Sequence, residues 1–489
     1  MRLQRFRRVA SALMVCSALS FGLQSEAAAI PSGSNGSAQE AFSLTPVAAD
    51  TIPSLFAVDG QLWLTEFDLE GRFGALARIE SRTSVHPYTF RGVMLHGKRE
   101  VVTPVYATVA PHEGGTARIL MNWQTVPPIK PESPGWEGGL ATVDPSSPES
   151  TTFVPAQQPG DPLYSVALSD AFRSPLTVAG SRIWSLQSSA LSGDPNAAWA
   201  LQYPFTARPS YSIASLPNGG TFAYPGLDAD AAGNVWGVTW GQNTNGVAKI
   251  APNGGLSLLP MRWSAWTGAV EAPSRFWVLT DYPVSGWAFA QMTDIGMLAD
   301  ANAGLPGAVS QPPAQLSAGL FVSDGTSLWA LGELGNPSTL QAIRFRTDGA
   351  WSWYTSPFTN QPYGEATAGV LAGRTLYFGI YHWDRSPASL FSFDTSRLIE
   401  AKPSSVALQA GHAVDVSVSE ARYSGSFVAR VLTAQLSGNP ACPLSVTQRS
   451  SNVFTISANA TVPANCGVTF TDADGFGTAM VNVNLTPPT

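Results

Sequence analysis

The chain has 489 residues, 12% charged and 44% hydrophobic, with 27 basic against 34 acidic side chains. The length accommodates more than one domain, and Gly 45 with Pro 38 stays below the level of a low-complexity chain. The acidic balance argues against nucleic acid or an anionic membrane surface as partner.

The N-terminus reads as a targeting segment. "MRLQRFRR" is basic, "VASALMVCSALSFGL" is apolar, and Ala27 to Ala29 offer small residues for a signal peptidase. The expectation is a signal peptide over 1–29 and a secreted or periplasmic protein. The apolar run is too short for a comfortable span and no other stretch reaches about 20 apolar residues, so no membrane span is expected. Cys16 follows Val15, where a lipidation signal wants a small residue, so it is read as part of the leader. Cys442 and Cys466 then remain, and two cysteines in an exported chain most simply pair with each other. Residues 30–50 read as a linker.

From residue 51 a unit recurs: short apolar strand, polar or Gly turn, then a strand centred on an aromatic. "LFAVDGQLWLTEF", "LTVAGSRIWSLQ", "DADAAGNVWGVTWG", "AVEAPSRFWVLTDY", "LFVSDGTSLWALGEL" and "GVLAGRTLYFGIYHW" carry it, centred on Trp63, Trp184, Trp236, Trp277, Trp329 and Tyr377. The interval between Trp63 and Trp184 leaves room for one more unit, for which "GVMLHGKREVVTPVY" at 92–106 is a degenerate candidate. A second strand–turn–strand follows most units, as in "GLATVDPSSPESTTFVP", "LQAIRFRTDGAWSWYTSP" and "SLFSFDTSRL". Four strands repeating about every 40–50 residues predict a seven-bladed β-propeller over 51–402. One blade cannot bury both its faces alone, whereas a ring buries each against a neighbour. The recurring aromatics are read as wedges between blades.

"GQLWLTEF…GALARIE" and "AAGNVWGVTWG…NGVAKIAPNGGLSLLP" resemble the repeats of streptogramin lyases of the virginiamycin B lyase type. The resemblance covers about 51–402 and is clearest in the first, fourth and sixth units. It implies a propeller and, as one functional alternative, an elimination carried by a His and a Glu-x-His pair with bound Mg2+. Of five histidines, His382 alone sits on the expected loop. Ile380 stands at the Glu position, and Asp68 stands where a His belongs after Glu66.

In this topology the loop after each second strand opens beside the central channel. Reading at fixed offset from each aromatic yields Glu66, Asp68, Trp240, Asp281, Glu333, His382 and Asp384 as a candidate ligand-binding rim. No G-x-S-x-G elbow and no H-E-x-x-H motif occurs. Asp228, Asp230 and Gly233 have the spacing of a calcium loop, but Ala232 and Thr239 stand where ligands belong, so they read as a hairpin turn. No metal or other cofactor is expected, unless Mg2+ accompanies the lyase alternative.

After "IEAKP" the pattern becomes alternating strands with few aromatics, such as "AVDVSVSE" and "NVFTISAN". Residues 403–489 are read as a small β-sandwich. "CGVTFTDADGFGTAMVNVNL" resembles the last two strands of bacterial immunoglobulin-like domains. The functional reading is an exported propeller that binds or scaffolds at the cell envelope or extracellular space, with a small molecule, glycan or envelope protein as partner. The alternative is a lyase-like or carbohydrate-active enzyme working at the channel mouth.

Overall fold

The computed structural model describes residues 42–486 apart from 69–72, 111–116, 126–137, 156–175, 187–196, 205–210, 242–245, 261–264, 298–308, 311–314, 335–338, 347–350, 360–363, 421–424, 433–441, 460–463 and shorter loop segments. The signal peptide expected over 1–29 lies outside the described residues. Of the fifth repeat, 265–310, mainly the backbone is described.

Antiparallel units follow one another along the chain: 51–88, 102–155, 177–215, 221–260, 265–310, 315–359 and 364–394, here blades 1 to 7; each has four strands except 265–310, whose outer position holds two short strands, and 364–394, which itself supplies three. The first strands of blades 1 to 7 contact one another in sequence, and that of blade 7 (Gly364–Ala372) contacts that of blade 1 (Thr51–Val58). The contacts close on themselves, so the chain forms a seven-bladed propeller with first strands innermost.

The packing follows from the repeat. Trp63, Trp123, Trp184, Trp236 and Trp329 are almost wholly buried. Apolar clusters bridge neighbouring blades: Ile52, Leu64, Tyr377 and Leu390 join blades 7 and 1, and Trp63, Leu76, Ile119 and Trp123 join blades 1 and 2. A stacked pair, Trp236 and Phe276 with centroids 5.8 Å apart, joins blades 4 and 5. A cation on the third strand sits opposite the tryptophan in three blades: Arg78 registers with Trp63, Lys249 with Trp236 and Arg344 with Trp329. Lys249 Nζ lies 4.9 Å from the Trp236 ring and the Arg344 guanidinium 5.6 Å from that of Trp329.

Three expectations are corrected. The second repeat is centred on Trp123 in Ile119–Thr125, not on 92–106, which holds a small inserted hairpin and the start of the first strand of blade 2. The stretch read as linker contains the strand Phe42–Pro46, which pairs with Ser389–Asp394 and supplies the outer strand of blade 7. "SLFSFDTSRL" therefore donates one strand to the propeller, and Ile399–Lys402 pairs instead with Ala413–Glu420. The C-terminal sheets thus begin at 399.

Those sheets have strand orders 399–402, 413–420, 453–458, 444–450 and 405–409, 477–486, 464–472, 427–432. They enclose one core with Val418, Phe454, Ile456, Phe470 and Val481, which makes them a β-sandwich. Cys442 and Cys466 are joined, Cα atoms 5.9 Å apart. The sandwich is continuous with the propeller. Gly477–Thr486 pairs with Trp351–Thr359, the outer strand of blade 6, through Ser352, Trp353 and Tyr354. The Ile399 N–H also donates to Tyr354 Oη at 3.1 Å.

Candidate functional site

In each blade the second strand ends where the first begins, since Thr51 pairs with Phe67, Gln315 with Glu333 and Gly364 with His382. The loops between second and third strands therefore share one face of the disc, called here the 2–3 face. Glu66, Asp68, Trp240, Asp281, Glu333, His382 and Asp384 all belong to strand ends or turns on that side.

Their side chains do not form one open rim. Glu66 and Glu333 are only 3% and 5% exposed. The Ala48 N–H donates to the Glu66 carboxylate and the Gly364 N–H to that of Glu333. The other oxygens, Glu66 Oε2 and Glu333 Oε1, have no hydrogen-bond partner among the described residues. Burial pushes the Glu66 carboxyl up and that of Glu333 to about 7, with each backbone donor only partly opposing it. Gly364 is required here, because a Cβ would press on the Tyr381 carbonyl. His382 is buried too, its Nε2 3.0 Å from Ser389 Oγ. Glu333 thus ties blade 6 to blade 7, His382 braces blade 7 internally, and Glu66 ties blade 1 to the segment after the N-terminal strand.

Solvent reaches the others. Asp384 is exposed, accepts from the Ser386 N–H at 2.9 Å and orders a turn in which Arg385 has φ 62°. Asp68 is half-buried at the base of its loop, where its N–H donates to the Phe73 carbonyl. Trp240 closes the second strand of blade 4 and is 36% exposed. Asp281 lies in Arg275–Tyr282, opposite Trp287. Its side chain lies outside the described residues.

Offset counting misses residues beside these. Phe73 precedes the third strand of blade 1 and is 37% exposed; Trp383 follows the second strand of blade 7 and is 42% exposed. Trp383 meets Tyr381 edge-on, centroids 5.6 Å apart. Tyr381 lies opposite Glu365 on the innermost strand of blade 7, within the fields of Glu365, Asp50, Asp384 and Arg385. "YHWD" at 381–384 carried the signal for Trp383, whereas Glu365 is on a first strand that the offset never reaches.

The calcium-like turn holds its carboxylate with protein donors. Asp230 accepts from the N–H groups of Ala232 and Asn234, both at 2.9 Å, from the Asn234 amide, and from Trp236 Nε1 at 3.0 Å. Burial works against its charge, but these hydrogen bonds outweigh it and hold the carboxyl below its usual range. Among the described residues no group of three or more His, Cys, Asp or Glu side chains could hold a metal ion. The donor set that the lyase resemblance implies for Mg2+ is thus not assembled there. A shallow pocket of about 550 Å³ lies on the opposite face, lined by Gln61, Arg78, Glu80 and Tyr377 and by none of the candidate residues.

No family model matches the chain, and no curated protein does. Solved structures do. One is a structural genomics protein of unknown function from Bacteroides thetaiotaomicron, 9% identical with TM-score 0.36, covering 72% of this chain and 76% of its own. A second is a quinonprotein alcohol dehydrogenase-like protein from the same organism, 8% identical with TM-score 0.33, covering 73% and 69%. A third belongs to the GH130 family of mannoside phosphorylases, 12% identical with TM-score 0.25, covering 71% and 85%. Likeness at this level bears on neither ligand nor activity, and the seven-blade assignment rests on the chain's own strand pairing.

Proposed function

We propose that the chain is an exported binding or scaffold protein of the cell envelope or extracellular space, and that it engages its partner through the 2–3 face. The observation that carries this reading is the placement of Phe73, Trp240 and Trp383. They are the only exposed large aromatic side chains among the described residues, and all three lie at second-strand ends or the loops that follow. Wedge aromatics of the same repeats are buried, so chain composition alone does not account for the exposed ones. Aromatic rings on a loop-built face supply contact area at low entropic cost and suit a glycan, a small molecule or a protein loop.

The N-terminal leader and the Cys442–Cys466 bond support export, since disulfides persist in oxidising compartments. No helix among the described residues is long and apolar enough to cross a membrane. The sandwich strand order supports an immunoglobulin-like reading, because 399–402, 413–420, 453–458 and 444–450 run in the A-B-E-D sense.

The test is a binding screen of the mature protein against envelope glycans and envelope extracts, repeated with Phe73→Ala, Trp240→Ala and Trp383→Ala. Loss of captured ligand in at least one variant, with melting temperature retained, supports the reading. Retention of every ligand by all three refutes it. The enzymatic alternative draws on Glu333 and Glu365, whose carboxyls are pushed by burial to about 7, the range suited to general acid–base work. Magnesium-dependent turnover of cyclic depsipeptides or uronates, abolished in Glu333→Gln, would favour it.

A further inference from the structure

Blade 7 concentrates on the 2–3 face features found together nowhere else among the described residues. Trp383 projects into solvent with its ring held edge-on by Tyr381. Glu365 is the cross-strand partner of Tyr381, and directly opposed residues on one sheet face have neighbouring side chains. The turn carrying Trp383 is ordered by the Asp384 carboxylate, which remains exposed. Asp50 adds a third carboxylate to the field at Tyr381, and Arg385 is the one cation acting there. His382, between the two aromatics in sequence, turns its ring to Ser389.

Glu365 separates this arrangement from an ordinary acidic surface. It is largely buried, yet part of it still meets solvent. No hydrogen bond reaches its carboxylate from the described residues, and burial alone pushes the group to about 7. A carboxylate without a protein donor that still meets solvent is a group that a ligand can reach.

We propose that Glu365, Tyr381 and Trp383 form a subsite for an organic ammonium group, a protonated amine or quaternary ammonium carried by a small ligand or a lysine-bearing partner. Ring faces attract such a cation through their quadrupoles, the Glu365 carboxylate compensates its charge, and Asp50 and Asp384 set a favourable field at the entrance. A neutral sugar would donate hydroxyls to Glu365 but bring no positive charge to this field of carboxylates. The subsite rests on the proposed binding role of the 2–3 face and specifies one ligand class for it.

The experiment is a tryptophan-fluorescence titration of the mature protein with choline, spermidine and Nα-acetyl-lysine amide at millimolar concentrations. The uncharged choline isostere 3,3-dimethylbutan-1-ol serves as the matched neutral probe. Saturable binding of at least one cation is expected, with the isostere weaker by about tenfold. Glu365→Gln and Trp383→Ala should each weaken the cation severalfold, while Val428→Ala, at an exposed position of the sandwich, leaves it unchanged. The Glu365→Gln substitution nearly preserves shape and is expected to fold, and melting curves verify this. Absence of a response to all three cations, equal affinity for the isostere, or indifference to both blade 7 substitutions overturns the subsite. If neutral glycans still bind and depend on Phe73, Trp240 or Trp383, the broader binding role stands without it.

Discussion

Glu333 shows how a side chain can lie on the expected face of the disc and do something other than expected. Its carboxylate reaches across a blade junction to the Gly364 N–H and leaves Oε1 without a partner. The folded state raises its pKa from 4.5 to about 7, so the folded protein binds this proton more tightly than the unfolded chain. The contribution to stability is therefore fully present below about 4.5 and is lost as pH rises through about 7. Glu333→Gln should raise stability at pH 8 by about 1–2 kcal/mol, with the gain shrinking toward pH 5. Urea melts of both proteins at the two pH values check this, and an equal gain at both would contradict it. Asp230 is the opposite case, a carboxylate with donors enough to keep its charge. Asp230→Ala should cost about 2–3 kcal/mol by orphaning the Trp236 and Asn234 donors. Calcium or a chelator should not shift the melting temperature through this turn. That turn was legible in the sequence because Asp, Gly and Asn carry local turn chemistry. The burial of Glu66 and Glu333 was not, because an offset from a tryptophan finds the strand end without saying whether the side chain faces a neighbouring blade or solvent.

At the level of strands, the aromatic repeat was readable wherever a tight Gly turn precedes the tryptophan, as at Asp59–Gly60 before Trp63, both with positive φ. Blade 2 escaped because its first two strands, Val102–Val109 and Ile119–Thr125, are joined by a longer connection whose glycines, Gly114 and Gly115, stand farther from Trp123. Phe42–Pro46 escaped for a different reason: "FSLTP" is short, and its partner lies at the far end of the propeller. No local periodicity announces such a pairing. Phe42 nevertheless packs into a core with Trp329, Tyr354, Phe391 and Phe393, and stacks on Phe393 at 4.8 Å. Phe42→Ala should cost about 3–5 kcal/mol, as for other buried large-to-small changes. Limited proteolysis should then cut the N-terminal segment faster than in wild type. Gly379 marks the next junction, where an added Cβ would lie 2.7 Å from Ile52 Cβ on blade 1. Gly379→Ala should destabilise by about 1–3 kcal/mol through overpacking, measured by thermal scan.

For the whole molecule, propeller and sandwich meet through backbone pairing as well as side-chain contact. Gly477–Thr486 covers the outer edge of blade 6, an edge that would otherwise offer unpaired N–H and C=O groups to another chain. Deleting 399–489 should therefore lower the melting temperature of the remaining propeller and promote concentration-dependent association, seen by light scattering. A fragment that stays monomeric and equally stable would show that this edge needs no cover. The end of the propeller was hard to place from sequence because Ile399–Lys402 arrives in step with the repeat yet pairs with the sandwich. The closure of blade 7 also has a consequence in time. Ser43 and Ser392, whose hydroxyls meet at 2.6 Å, are 349 positions apart. At ordinary synthesis rates the early strand waits about 20–70 s before its partner exists. During that interval the outer strand of blade 7 has no blade to join. A chain emerging N-terminus first from a ribosome cannot complete the ring until Ser389–Asp394 is out. The disc therefore closes late, after its first six blades have been made.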